Sequence, residues 1–449
     1  MTLVGLDDTD SRERGMCTTY VASRIAAHLR DRGRVERLLL IRLNPAIEHK
    51  TRGNASIAIH TDVDPGDAFD VASDVLDDLA IVDDDRTNPG LVVTDRPVPG
   101  APTDASSIDP AVASFTRRAI RERLTIDDVR RRLDAPGYDY SAWGNGRGLI
   151  GALAAIGAWD ALDEWTVEHI AYRTPDRWGT VRDVDPASLR TAADGAYPDV
   201  WDTIDRGTDE LVAVPRTPGP VLVGIRGDDA DAVDAVIDQL DGEPIATSQR
   251  FLTNQGTDVH LQDGSLGDLR DGRAYAVDGI VATEPETRRG GHVFVTIADE
   301  PVDGEETTDD RSEPDPGAAV GGNRQECVAF EPTKRFRDRV RALRPGDRIT
   351  ACGEVGRGTL KLEKFAVRTL RRTERATPTC PSCDRTMESA GSDQGYRCRD
   401  CGTTRARRDQ VPIERSLEEG WYEVPPRARR HVAKPLVRGG FDAQTHPER

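Results

Sequence analysis

Cys380-Pro381-Ser382-Cys383 and Cys398-Arg399-Asp400-Cys401 are two CxxC pairs separated by 14 residues. Each pair puts two thiolates on one tight turn, and two such turns facing each other supply the tetrahedral four-sulfur shell that zinc prefers. With every position taken by protein, the ion has no place for water, so a structural site is expected. At the other end of the chain Asp7-Asp8-Thr9-Asp10 follows the apolar run Leu3-Val4-Gly5-Leu6. Clustered carboxylates repel one another unless a cation lies among them, and Mg²⁺ held by one or two carboxylates and nucleotide phosphates is the usual solution. An acidic turn on an acidic surface is the alternative reading. Gly144, Gly146, Gly148 and Gly151 lead into an apolar helix, where backbone N–H groups and a helix N-terminus can cradle a phosphate. Their spacing is neither a Walker A nor a Rossmann fingerprint, and tight helix packing explains them as well. Thr18 and Thr19 open the first predicted helix, where a hydroxyl caps the helix or meets a phosphate. Eight histidines are present, but no G-x-S-x-G elbow supports a Ser/His/Asp hydrolase.

These residues need elements to carry them. Leu3 to Leu6 reads as a strand, Asp7 to Ser11 as an acidic loop, and Tyr20, Val21, Ile25, Ala26 and Leu29 as the apolar face of a helix. Strands at Leu38–Ile41, Ala55–His60 and Gly90–Val93 alternate with helices, which predicts α/β layers. Beyond Tyr197, the strand Val221–Ile225 and helix Ala230–Leu240 suit a ferredoxin-like domain. From Arg273 the pattern turns β-rich, with strands at Ala274–Ala282, Val293–Ala298, Glu326–Phe330, Arg348–Val355 and Leu360–Leu370, and a helix, Thr333–Leu343, before the fourth. That order is the signature of an OB-fold barrel.

The expected architecture is an α/β and α+β multidomain chain. A kinase-like catalytic domain covers 1–195, with part of the ferredoxin-like domain inserted near 60–115 as an open alternative. The ferredoxin-like domain at 196–270, an OB fold at 271–373, a zinc ribbon at 374–410 and a C-terminal tail at 411–449 follow. The acidic, Pro/Gly-rich stretch 299–322 cannot build a core and is expected as a disordered loop.

Charge narrows the partners. The chain has 79 acidic and 61 basic residues, a net charge of −18, and lysine at only five positions. Such an acidic, arginine-biased surface resembles that of proteins from salt-loving microbes, where hydrated carboxylates maintain solubility. From Gly321 to Arg449, however, 28 basic residues face 18 acidic ones. A local basic excess on an acidic protein points to a polyanion such as nucleic acid. No apolar run approaches the roughly 20 residues of a membrane span. The first residues lack the basic region of a signal peptide, so a cytoplasmic protein is expected.

Taken together, Gly5-Leu6-Asp7-Asp8-Thr9-Asp10-Ser11, Gly15-Met16-Cys17-Thr18-Thr19, Trp143-Gly144-Asn145-Gly146-Arg147-Gly148-Leu149-Ile150-Gly151-Ala152, Ile170-Ala171-Tyr172-Arg173, Gly224-Ile225-Arg226-Gly227 and Thr253-Asn254-Gln255-Gly256-Thr257-Asp258 resemble the archaeal 2-agmatinylcytidine synthetases of isoleucine tRNA. The resemblance runs to about Arg408. It implies a ligase that uses ATP to attach agmatine to the wobble cytidine of an isoleucine tRNA with a CAU anticodon, changing codon reading from AUG to AUA. The C2 oxygen of the cytosine is phosphorylated, the amine of agmatine displaces the phosphate, and ATP ends as AMP and phosphate. The resemblance also implies that Asp7, Asp8 and Asp10 hold Mg²⁺, that Thr18 is autophosphorylated, and that Gly144, Gly146, Arg147 and Gly148 contribute to the ATP site. Agmatine carries a guanidinium, best met by a bidentate carboxylate, and Asp199, Asp202 and Asp205 beside Trp201 are the candidates. A rival of another class is a non-catalytic single-strand-binding protein built from the OB fold and zinc ribbon. It leaves the acidic cluster and glycine loop without a role.

Overall fold

The strand β1 (Thr2–Asp7) is apolar on both faces and is sandwiched, antiparallel on each side, between β3 (Ala55–Thr61) and β4 (Gly90–Asp95). Side chains alternate across a strand, and here the alternation divides two cores. Leu3, with Ala58 and Val92, faces a core shared with the helices α3 (Pro110–Arg121), α4 (Ile126–Leu133) and α5 (Gly148–Ile156). Val4 and Leu6, with Ile57, Ile59, Leu91 and Val93, face α1 (Thr18–Arg30) and α2 (Pro65–Leu79). The computed structural model describes residues 1–48, 54–95, 108–299, 322–391 and 394–448. The loop expected at 299–322 lies, apart from its two end residues, outside the described residues.

The first sheet does not stop at the expected first domain. With β2 (Val35–Arg42), β5 (Tyr138–Ala142) and β6 (Thr166–Arg173), it continues through the strands Ile245–Thr253, Val221–Gly227 and Val200–Trp201 to nine strands. The splice is a short parallel pairing of Leu252 with Leu39 and Thr253 with Leu40. Strand β6, from the segment assigned to 1–195, is hydrogen-bonded to Ile245–Thr253 and Val221–Gly227, so the segments expected as two separate domains share one sheet.

Five strands close the expected barrel: Ala274–Val281, Val293–Ala298, Arg324–Ala329, Thr359–Thr369 and Arg348–Gly356, the last returning to the first. Parallel pairing of Glu326–Val328 with Thr359–Lys361 makes the closure. The helix Arg335–Arg341 lies between the third and fourth strands in sequence and buries Phe336 and Val340 in the barrel core.

The stretch read as a tail is folded. After the ribbon, Gly420–Glu423 pairs antiparallel with Val367–Lys364, and Thr445–His446 adds in parallel beside it. Trp421 and Tyr422 are buried there, so the segment completes the barrel's outer edge. The turns and loop between these strands carry arginines whose partners lie across the junction with the first sheet. Buried Arg429 pairs with Glu423 and with Asp202 at 2.7 Å, and Arg438 pairs with Asp228 and Glu164. Among the described residues, no helix is long and apolar enough to cross a membrane.

Candidate active site

At the carboxyl end of β1 the chain leaves the sheet at Asp7 and turns through Asp8, whose backbone is left-handed with φ 60°. Non-glycine residues seldom adopt that region, and Asp and Asn tolerate it best. The turn is closed by side chains: Asp7 Oδ1 accepts from the Asp8 amide at 2.7 Å, and Asp8 Oδ2 from the Asn88 amide at 3.1 Å. Burial, reinforced by the charge of Asp8, pushes the Asp7 carboxyl well above its usual range. Burial also pushes Asp8 up to about 6, although the Asn88 hydrogen bond and the charge of Arg147 oppose it. Two partly buried carboxylates on one turn, both pushed above their usual range, mark this end of the sheet as a candidate functional site.

The N-cap residue of α1 is Cys17, whose side chain makes no capping hydrogen bond to the helix backbone; its Sγ lies 3.0 Å from the Thr19 hydroxyl. Thr18 therefore does not cap the helix; its hydroxyl accepts from the Thr9 hydroxyl at 3.1 Å. Asp7, Asp8, Asp10 and Thr18 all line one cavity of ≈ 500 Å³.

The glycine loop divides into two parts. Arg147, Gly148 and Gly151 line the same cavity, while Gly144 and Gly146 do not. The latter two hold left-handed turns, φ 58° and 76°, and Asn88 Oδ1 accepts from the Asn145 amide at 2.9 Å. Gly148 and Gly151 allow close packing: a Cβ on Gly151 would lie 1.9 Å from Asp7 Oδ2, and one on Gly148 2.4 Å from the Gly90 nitrogen. Helix packing thus accounts for these two glycines, and it brings the N-terminus of α5 against the acidic turn.

The opposite wall comes from the other half of the sheet. Glu168 on β6 accepts from Arg226 at 3.1 Å and from Arg42, at the end of β2, at 3.3 Å. Burial alone would raise this carboxyl, but Arg226 and Arg42 outweigh it and hold it below its usual range. Glu168 is thus an anion at neutral pH flanked by two guanidiniums, an arrangement with net positive charge. None of the three was singled out from the sequence as a site residue. The one carboxylate in β6 was a signal for Glu168, and Arg226 stands in Gly224-Ile225-Arg226-Gly227. Arg173, in the Ile170–Arg173 motif, is instead fully buried against Glu243 and bonds the Thr180 carbonyl at 2.9 Å.

The three aspartates considered for agmatine do not reach this cavity. Asp202 is buried against Arg429, and Asp205 is buried with Arg335 at 3.0 Å. Asp199 supplies its backbone carbonyl to the Asp228 amide. The first two serve the junction between sheet and barrel, where arginines of the chain itself engage their carboxylates.

The sulfur atoms of Cys380, Cys383, Cys398 and Cys401 lie within 4.8 Å of one another, and Cys380 and Cys401 are 3.5 Å apart. A tetrahedral shell with Zn–S bonds of about 2.3 Å needs sulfurs about 3.8 Å apart, so the four residues fit a structural zinc. Among the described residues, the carboxylates at Asp7, Asp8 and Asp10 do not converge to that degree.

Three family models match the chain: the TiaS TCKD domain at residues 3–143, the TiaS FLD domain at 146–260 and the TiaS C-terminal zinc ribbon domain at 377–417. A protein of Haloquadratum walsbyi, named as the isoleucine-tRNA 2-agmatinylcytidine synthetase TiaS, is 53% identical over 468 residues, covering 100% of both chains. A relative of the same name from Methanosarcina mazei is 40% identical, covering 97% of each chain. Among solved structures, a complex of TiaS with its isoleucine tRNA and ATP superposes with a TM-score of 0.82 at 36% identity, over 100% of this chain and 99% of that one. A complex of TiaS with the same tRNA, AMPCPP and agmatine does so with a TM-score of 0.80 at 35% identity, over the same shares.

Proposed function

The chain belongs to the TiaS family, and from that membership we propose that it is the ATP-dependent ligase that attaches agmatine to the wobble cytidine of an isoleucine tRNA. The observation that carries this reading is a single cavity with walls of opposite charge, acidic at Asp7 and Asp8 and cationic at Arg42 and Arg226. Phosphoryl transfer demands little covalent chemistry from a protein and much positioning of charge. A cytosine C2 carbonyl is a poor electrophile. Moving a phosphoryl group from ATP to its oxygen forms a P–O bond there and breaks a phosphoanhydride bond of ATP; ending at AMP takes the cleavage of the second phosphoanhydride as well, for which Thr18 is the proposed acceptor. The amine of agmatine then bonds to C2 and loses a proton, and the C2–O bond breaks to release phosphate.

In this reading Asp7 and Asp8, with Asp10 beside them, hold Mg²⁺ together with ATP phosphates. Their raised carboxyl pKa values support it, because a cation would relieve the burial and repulsion that raise them. The ion would supply charge neutralisation at the phosphates. Thr18, with its hydroxyl on the cavity wall, is the proposed phosphate acceptor on the protein, and Arg147 and Gly148 flank the nucleotide. Arg42 and Arg226 are placed to meet anionic oxygen on the facing wall. The tRNA is expected to be held in part by the basic last third of the chain.

The test incubates the purified chain in high KCl with ATP, Mg²⁺, labelled agmatine and an isoleucine tRNA transcript. Label in the wobble nucleotide, dependent on ATP, is the expected result. Tight RNA binding with no ATP-dependent labelling would leave the non-catalytic single-strand-binding reading in its place.

A further inference from the structure

The Thr253-Asn254-Gln255-Gly256-Thr257-Asp258 stretch contributes no side chain to the cavity, yet it contacts a cavity arginine on one side and the C-terminal segment on the other. Asn254 brackets the backbone of Arg42: its Oδ1 accepts from the Arg42 amide at 2.7 Å, and its Nδ2 donates to the Arg42 carbonyl at 3.0 Å. Gln255 Oε1 accepts from Arg42 Nε at 2.7 Å. Gln255 is fully buried, and its Nε2 lies 3.2 Å from Nε2 of His431. Gly256 has φ 78°, and a Cβ there would fall 2.5 Å from the Trp201 ring; its carbonyl accepts from Arg438 at 2.6 Å. Asp258 takes the Lys364 ammonium at 2.9 Å and the Lys434 amide at 2.7 Å. Residues 431, 434 and 438 all come from the segment after the zinc ribbon.

The donor and acceptor roles along this line are determined by its first member. Arginine only donates, so the Gln255 oxygen must face Arg42 and the amide N–H₂ must face His431. His431 Nε2 is then an acceptor, which requires a neutral ring carrying its proton on Nδ1. An imidazolium would oppose two donors. Burial and the charges of Arg226 and Arg42 hold the ring neutral. Reversing the amide would turn two donors against each other at a buried position, which is strongly unfavourable.

We propose that Gln255 and His431 are positioning residues that fix the Arg42 guanidinium beside Glu168, so that the segment after the ribbon sets the geometry of the catalytic cavity. Arg42 thereby keeps one edge for Gln255 and Glu168 and presents the rest of its fork to the cavity. The inference rests on the proposed ligase reading, because the relay acts on the arginine wall of that site.

The experiment uses the full-length chain in high KCl and follows single-turnover transfer of labelled agmatine to the tRNA transcript. Variants are His431→Ala, Gln255→Leu and His431→Gln, the last carrying an amide oxygen that can accept the same hydrogen bond. Misplacing a positioned group by about 1 Å costs on the order of a hundredfold in rate. His431→Ala and Gln255→Leu are expected to lower the single-turnover rate constant tenfold or more at unchanged amplitude, and His431→Gln is expected to recover most of it. A loss of amplitude with an unchanged rate constant means a merely structural role and overturns the proposal. So does an unchanged rate constant at full amplitude. If the wild-type chain transfers no agmatine, the ligase reading falls first and the relay with it.

Discussion

At Asp8 a single substitution can keep the left-handed backbone and remove the charge that burial disfavours. Asparagine keeps the tolerance for φ 60° and removes the charge. Because the folded-state pKa of Asp8 is raised to about 6, the stabilising contribution of its protonated form is present below the unfolded value near 4 and is lost as pH rises through 6. Asp8→Asn is therefore expected to abolish agmatine transfer while raising the melting temperature of the nucleotide-free chain at pH 8 more than at pH 4. The gain is on the order of 1–3 kcal/mol. Melting curves at the two pH values check it, and a variant less stable at pH 8 would contradict the account of that turn. Thr18 is tested chemically. Incubation with γ-labelled ATP should label the protein and Thr18→Ala should remove the label; persistent labelling would move the acceptor elsewhere, with Thr19 the first suspect.

At the level of elements, the acidic turn is positioned by the fit of α5 against β1. Gly5 meets the Ala152 carbonyl and Gly151 meets Asp7 so closely that neither has room for a methyl group. Gly151→Ala must move the helix or the Asp7 carboxylate. Overpacking of this kind costs typically about 1–3 kcal/mol, so urea unfolding should show that loss together with weaker ATP binding. Gly144→Ala perturbs the loop instead: at φ 58°, with Asn88 Oδ1 2.4 Å from the added Cβ, it should destabilise by about 1–2 kcal/mol. If both glycines act only through packing, ATP affinity will fall in Gly151→Ala and stay near wild type in Gly144→Ala. Equal losses of affinity would mean that the loop itself holds the nucleotide.

Across the whole molecule, the catalytic cavity and the zinc ribbon lie on opposite sides of the barrel in the chain order, and their contributions should separate. A ribbon with Cys380, Met387 and Cys398 as its buried core has too little apolar area to fold alone, and structural zinc commonly supplies that energy. Replacing Cys380 and Cys383 with Ser is expected to unfold the ribbon, weaken tRNA binding and reduce the slope of log affinity against log salt. ATP binding by the N-terminal half should survive. Unchanged tRNA affinity in the double variant would assign the RNA to the barrel and the N-terminal sheet instead.

The features legible in the sequence were those that depend on neighbours in the chain. The CxxC pairs, the strand ending in Asp7-Asp8-Thr9-Asp10, the glycine turn and the barrel strands each follow from local spacing and side-chain alternation. What pairs across long separations was decided only by the tertiary structure. Arg42, Glu168 and Arg226 stand on three strands that meet because Leu252–Thr253 pairs with Leu39–Leu40, and no local pattern records that splice. Asp202 and Asp205 read as candidates for the agmatine guanidinium because their arginines, Arg429 and Arg335, lie far downstream. The stretch after the ribbon read as a tail for a similar reason: Gly420–Glu423 is too short to announce a strand and becomes one when Lys364–Val367 offers its open edge. Burying its arginines and His431 requires acids and amides from the first sheet, and only the folded chain brings them together.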